Sequence, residues 1–218
     1  MPVRVLYEDE HFLVTDKPPG RLVIPGGTTD EIALVDELAR QRAHRLYVVH
    51  RLDRDASGIV LFAKTAAAHR AACLEFQHRR ARKKYWVVVR GELTSDGEIA
   101  QPLRVSGSGR SAVDPRGKPA CTRYRVVEKL YGATLLEVEP TSGRHHQIRA
   151  HLYWLGHPVL GDRLYGRDRP VGKAPRLMLH AWWLEIHPEG YPPLAVSSPL
   201  PEDFRRVLDG LRRRAANG

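Results

Sequence analysis

Residues His50 to Val60, HRLDRDASGIV, set one carboxylate, Asp53, between two arginines, Arg51 and Arg54, ahead of a Ser-Gly pair and an apolar run. An acid crowded by cations is held ionised, as a nucleophile or general base must be. A second basic segment, Gly143-Arg144-His145-His146-Gln147-Ile148-Arg149-Ala150-His151, lies about 90 residues on. Helical spacing puts Arg149 beside His145 on one side and beside Leu152 and Tyr153 on the other. A buried carboxylate facing an arginine at about 4 Å gains on the order of 4 kcal/mol of Coulomb energy at an effective dielectric of about 20. The plainer reading is a salt bridge that only joins two segments, and spacing alone favours it.

Three other groupings bear on chemistry. His145, His146 and His151 lack the intervening Glu of HExxH and any nearby cysteine, so phosphate or backbone hydrogen bonding suits them better than a metal. Tyr85 sits among Arg82, Lys83 and Lys84. A ring beside cations is what stacking on an RNA base requires, worth about 1–3 kcal/mol per base, although a core tyrosine in an apolar strand is an equal reading. Gly107-Ser108-Gly109-Arg110 is a lone GxG with no helix clearly following, which excludes a dinucleotide site. No GxSxG elbow supports serine hydrolysis.

The elements that must carry these residues follow from pattern. Val3–Tyr7 and Phe12–Asp16 alternate like a hairpin pair, ended by Lys17-Pro18-Pro19-Gly20. Residues 29–43 have helical spacing at Ile32, Val35 and Leu38, with Asp30-Glu31 near the N-terminus. Tyr47–Val49 and Gly58–Ala63 read as strands, and Thr65 as the N-cap of an alanine-rich helix to about Arg80. Residues 84–90 form a strand covered on both faces. Residues 104–120 read as a mobile basic loop. Cys121–Glu128 and Thr134–Glu139 are two more strands. A helix follows Ser142-Gly143 with Ile148, Leu152 and Leu155 as its stripe, ending at Gly156. A late strand lies within Arg176–His187, and Pro201 starts a last helix carrying Phe204, Val207, Leu208 and Leu211. The sum is α+β, one compact domain over residues 1–213 with a largely antiparallel mixed sheet flanked by helices, and a frayed tail at 214–218.

The net charge of +10 favours a polyanionic partner, against ordinary solubility in an Arg-rich chain. Its two cysteines, Cys73 and Cys121, form no CxxC pair, which argues against a disulfide framework or zinc site and fits a reducing cytosol. No apolar run approaches membrane length, and the acidic, strand-like N-terminus does not read as a signal peptide. A soluble cytoplasmic protein is expected, with a monomer as the default.

Taken together, these residues resemble the RluA family of pseudouridine synthases. The family's HRLDxxTSG motif stands as His50–Gly58, and its tyrosine strand as Lys83-Lys84-Tyr85-Trp86. Its GKxAxT element stands as Gly117-Lys118-Pro119-Ala120-Cys121-Thr122. Its GRxHQIRxH element stands as Gly143–His151, followed by Gly156–Asp162. A last element runs from Leu177-Met178-Leu179-His180-Ala181 through His187-Pro188. These lie in the family order and cover nearly the whole chain. Ala56 stands where the family usually has Thr, which removes a hydroxyl from the loop. The first strand begins at once, so the N-terminal S4-type domain of many relatives is expected to be missing, and grip on the substrate to come from the catalytic domain.

The resemblance implies isomerisation of uridine to pseudouridine in ribosomal or transfer RNA, without cofactor or metal. Asp53 would be the nucleophile, attacking the base or the sugar, or else a base in a glycal route, and Arg149 the partner that keeps it charged and oriented. Tyr85 would stack on the target base and assist removal of the C5 proton. Arg51 would fill the space of the flipped nucleotide. His50, Lys84, Lys118, Arg144, His146 and Gln147 would contact RNA, with Leu179 as an apolar pocket wall. The alternatives are a non-catalytic RNA-binding or ribosome-assembly protein on the same fold, and a hydrolase using Asp53.

Overall fold

The first two alternating runs pair antiparallel as β1 (Arg4–Glu8) and β2 (Phe12–Lys17). Asp9 closes the turn between them, its carboxylate accepting from the N–H of His11 at 2.7 Å and of Phe12 at 2.6 Å. The computed structural model describes residues 3–26, 31–107, 109–166 and 174–216. The chain divides into two units, Met1–Lys83 with Ala181–Ser198, and Lys84–His180 with Pro199–Gly218.

In the first unit, α1 (Leu34–Arg42), β3 (Tyr47–Val48), β4 (Ser57–Ala63) and α2 (Ala66–Gln77) follow. The helix expected over 29–43 begins at Leu34, with Asp36 and Glu37 in its first turn. Residues 29 and 30 lie outside the described residues. Thr65 caps α2 as expected, accepting from Ala68 N–H at 3.1 Å. β2 and β4 pair antiparallel, and β4 is buried along its whole length. Side chains alternate across the pleat. Phe12, Val14, Ile59, Leu61 and Ala63 therefore meet Ala68 and Ala72 of α2 on one face. Leu13, Val60 and Phe62 meet Leu34 and Leu38 of α1 on the other. A β4 covered on both faces makes a rigid floor for the loop that precedes it.

The second unit opens within β5 (Arg82–Arg90) and adds β6 (Gly97–Ile99), β7 (Leu103–Val105), β8 (Ser111–Val113), β9 (Thr122–Leu130), β10 (Ala133–Pro140) and α3 (Gln147–Trp154). Four of these strands pair antiparallel in the order β5-β10-β9-β6. The span 104–120 is not the loop that its Gly, Ser and Pro content predicts. β7 and β8 pair as a hairpin, and Leu103 and Lys118 exchange two backbone hydrogen bonds at 2.9 and 2.8 Å. Strands of three residues are too short to show alternation, so pairing rather than pattern satisfies their backbone. Ser108 lies outside the described residues. The next helix also starts later than expected, because His146 sits in the left-handed region at φ 52° and serves as its N-cap. His145 is therefore not on α3, where the i,i+4 spacing with Arg149 was expected to place it.

β11 (Leu179–Ile186) and β12 (Leu194–Ser197) pair antiparallel, and β11 neighbours β4. α4 (Glu202–Ala216) closes the second unit, burying Phe204, Leu208 and Leu211. Its helical turns continue past residue 213, where a frayed tail was expected to begin. Among the described residues no helix is long and apolar enough to cross a membrane. The α+β class with largely antiparallel pairing is as read from the sequence.

Gly58 is the tightest point of this scaffold. It has φ +111°, and a Cβ there would lie 2.1 Å from the carbonyl oxygen of Ala181. Both backbone strain and contact exclude a side chain. Gly58→Ala is expected to cost about 3 kcal/mol or more in urea unfolding. A loss under about 1 kcal/mol would show that the two strands have room to separate.

Candidate active site

The loop from His50 to Ser57 is tied down on all sides within the first unit. Val49 N–H donates to Leu61 carbonyl at 3.2 Å, and Leu61 N–H donates to His50 Nε2, also at 3.2 Å. The ring of His50 stacks on Phe76 at 4.9 Å and 19°. Leu52 packs into the core that β4 shares with α1. Ala56 N–H donates to Asp53 carbonyl at 3.2 Å, closing the turn. That bond comes from the backbone, so Ala in place of Thr leaves it intact, and Ala56 is 1% exposed.

Lys17 is the main anchor. Its ammonium, fully buried, donates to the carbonyls of Pro18 and Arg21 at 2.9 Å each, and of Arg54 at 2.8 Å. Gly20 N–H donates to the same Arg54 carbonyl at 2.9 Å. Asp53 therefore stands half-buried between an apolar anchor at Leu52 and a charged clamp at Arg54. The Arg54 side chain turns to Gly20 carbonyl and Glu31, at 3.1 and 2.8 Å. Arg51 is exposed and has no hydrogen-bond or ion-pair partner among the described residues.

Beside this loop lies a desolvated pair of bases. Lys83 Nζ sits over the Phe76 ring at 5.6 Å, and burial pushes its ammonium down to about 8. Burial, with the charge of Lys83, pushes His50 down to about 3. His50 is accordingly neutral at physiological pH, accepting at Nε2. It builds the loop rather than carrying charge to a phosphate.

The other expected residues belong to the second unit. Tyr85 is buried in β5 opposite Val138, and Leu179 is buried at the start of β11. Lys84 pairs with Glu137 at 3.3 Å. Lys118 is exposed next to the β7–β8 hairpin. Arg144 donates to Pro119 carbonyl at 3.2 Å. His145 and His146 stack with centroids 3.7 Å apart, and among the described residues no cluster of His, Cys, Asp or Glu is arranged to hold a metal ion. Gln147 departs from the expected substrate contact. It is 4% exposed; its Oε1 accepts from Ser142 Oγ and Arg144 N–H, at 2.7 and 3.0 Å. Its Nε2 donates to Cys121 carbonyl and Thr122 Oγ1 at 2.9 and 3.0 Å. Every polar position of the amide is used, so Gln147 holds the 142–144 turn to β9.

Arg149 is buried on α3 and forms a bidentate ion pair with Asp162 at 2.7 and 2.9 Å. Neither Asp162 nor Tyr165, whose ring lies 5.1 Å from the Arg149 guanidinium carbon, was singled out from sequence. The only trace there is the Gly161-Asp162 pair that ends a motif. In sequence Lys17 likewise carries no mark beyond its place in the strand-breaking Lys17-Pro18-Pro19-Gly20 cluster.

Residues 11–154 match the family model described as RNA pseudouridylate synthase. The ribosomal large subunit pseudouridine synthase D of Nitrosomonas europaea is 38% identical, across 97% of this chain and 66% of that protein. The ribosomal large subunit pseudouridine synthase C of Vibrio vulnificus is 36% identical, across 95% and 69%. The chain thus spans about two thirds of the length of these curated relatives. Among solved structures, human RNA pseudouridylate synthase domain containing 1 superposes with a TM-score of 0.77 at 30% identity, across 92% of this chain and 84% of that one.

Two outcomes follow from the loop anchors. Lys17→Met takes a donor from three carbonyls, of which Arg54's keeps the Gly20 N–H, and is expected to cost about 3 kcal/mol of unfolding free energy in urea, with faster amide exchange at Ala56. Unchanged exchange there would remove Lys17 as the anchor. For Lys83, the folded value of about 8 lies below the ordinary 10.5. Below the folded value both states are protonated and the full penalty of the buried charge is present. From about 8 upward the folded state binds fewer protons than the unfolded chain, so stability rises with pH towards 10.5. Lys83→Met is expected to raise the melting temperature near neutral pH and to lose that advantage above about pH 10, in a pH series of thermal melts.

Proposed function

From the premise that this chain belongs to the RNA pseudouridylate synthase family, we propose that it isomerises uridine in RNA to pseudouridine. The observation that carries the reading is the Asp53 turn, fixed by the Lys17 clamp, the Leu52 anchor and the His50 hydrogen bond. In this reaction the bond from C1′ to N1 of uracil breaks, the ring turns, and a bond from C1′ to C5 forms. The C5 proton leaves and N1 regains one, so no oxidant, reductant or cofactor enters the balance.

Asp53 is the nucleophile in the step that detaches the base. Arg149 orients that carboxylate, and Tyr85 stacks on the uracil and assists loss of the C5 proton. Leu179 lines the pocket. Arg51, exposed and without a partner among the described residues, takes the place of the flipped nucleotide. Lys118, Arg144, Lys84 and His146 hold flanking RNA. Extruding a base costs a few kcal/mol, which stacking and phosphate contacts offset. Each phosphate neutralised steepens the salt dependence by about 0.7 log unit per log unit of salt on single strands. The curated relatives are named for large-subunit ribosomal work, which makes ribosomal RNA in the cytoplasm the first substrate to try and transfer RNA the second. The catalytic domain is proposed to extend over residues 1–213, and the protein to act as a monomer.

The test is tritium release from RNA labelled at uridine C5. Asp53→Asn is expected to lose at least about 10³-fold in rate while binding RNA as before. Arg149→Ala should lose about 10²-fold in turnover with a small change in affinity. Undiminished release by Asp53→Asn would end the nucleophile assignment. Tight RNA binding with no release by the unaltered protein on either RNA would favour a pure RNA-binding role.

A further inference from the structure

Arg149 is the buried cation of α3, and the residue that faces it in its own unit is a carboxylate 13 positions on. Arg149 Nε donates to Asp162 Oδ2 at 2.7 Å and Nη2 donates to Oδ1 at 2.9 Å. The two side chains are 9% and 0% exposed. A two-point contact through Nε and Nη2 fixes the plane of the guanidinium and turns its remaining edge in one direction.

Asp162 is itself held by contacts besides Arg149. Its Oδ1 also accepts from the N–H groups of Leu164 and Tyr165, at 2.9 and 3.0 Å. Gly161 ahead of it has φ +73°, and a Cβ there would lie 1.8 Å from the Arg176 carbonyl oxygen. This carboxylate is thus set by backbone as well as by the arginine it holds. Tyr165 supplies a second support. Its ring lies 5.1 Å from the Arg149 guanidinium carbon and 4.5 Å from that of Arg110. Its hydroxyl accepts from Ser111 N–H at 2.8 Å and donates to Ser111 carbonyl at 2.9 Å. The turn at 162–165 therefore joins the β7–β8 hairpin to the arginine.

A buried ion pair kept only for stability is often matched or bettered by apolar residues. Here the carboxylate meets four donors and the arginine is stacked on a ring. That arrangement specifies an orientation. The pair is also close to neutral overall, so Arg149 acts on a neighbouring group through directed hydrogen bonds at short range and not as a bare charge.

We propose that Asp162 is the positioning residue for Arg149, with Tyr165 sharing the task, which rests on the reading of Arg149 as the partner of Asp53. The experiment is single-turnover tritium release at saturating RNA, with RNA affinity measured separately, for Arg149→Ala, Asp162→Asn and the double variant. Asp162→Asn is expected to slow turnover at least about tenfold with affinity kept within about threefold. The double variant is expected to be no slower than Arg149→Ala, because Asp162 acts through that residue. Additive losses overturn the proposal, as does parallel loss of affinity and rate, which a merely structural pair would give. Wild-type turnover in Asp162→Asn, with Arg149→Ala slow, overturns the proposal alone. Wild-type turnover in Arg149→Ala removes the reading of Arg149 and the proposal with it. Should Asp162→Asn not fold, nitrogen-15 NMR of the unaltered protein decides. A protected Arg149 Nε–H with slow guanidinium rotation supports the assignment, and free rotation overturns it.

Discussion

A buried ammonium has no water to return to, so the oxygens around Lys17 cannot drift without leaving a charge unsolvated. Two of those oxygens belong to its own turn and the third to Arg54, 37 residues away and next to Asp53. That asymmetry makes one side chain the link between the end of β2 and the reactive loop. The opposite anchor is apolar, with Leu52 in the core under β4. Desolvation alone could hold the loop near the sheet, but it would not fix its rotation. Hydrogen bonds at Lys17, His50 and Ala56 supply the direction.

The charge count of the chain needs a similar reading. An excess of +10 looks like free charge awaiting a polyanion. Several arginines are already engaged, as in Arg42 with Glu8, Arg54 with Glu31, Arg123 with Glu98 and Arg212 with Glu128. Exposed pairs of this kind are worth little and reorganise easily near phosphate. Arg51 and Lys118 are exposed, and their side chains have no such partner among the described residues. Grip on RNA can therefore begin at such unpaired cations and recruit the paired ones as RNA arrives.

Most of the fold was legible because β2, β4 and β5 are long enough for alternation or continuous burial to register. The helix cap at Thr65 was legible from one hydroxyl. The family, too, was legible from five ordered motifs and agrees with the comparison over residues 11–154. The β7–β8 hairpin was not, since three-residue strands between glycines leave no pattern. The start of α3 was misplaced because a left-handed histidine ended the turn where a helical residue was expected. Gln147 looked like a substrate contact and proved to be a satisfied internal brace. Lys17 and Asp162 were hidden for one reason. Their partners are backbone groups or distant side chains, and a sequence shows neither.

Such ionisable groups have a shared physical cost. Lys17, Arg149 and Asp162 are buried, and burial likewise pushes the half-buried Lys83 ammonium down. The two-faced core around β4 supplies the surplus that tolerates it, since each fully buried large apolar side chain contributes about 2 kcal/mol. A loop held by apolar contacts alone would be cheaper to fold. It would also leave a nucleophile free to turn by tens of degrees, and at a reacting carbon a misplacement of about 1 Å costs about 10²-fold in rate. Buried ions are thus placed where orientation matters more than stability, beside Asp53 through Lys17 and beside Arg149 through Asp162.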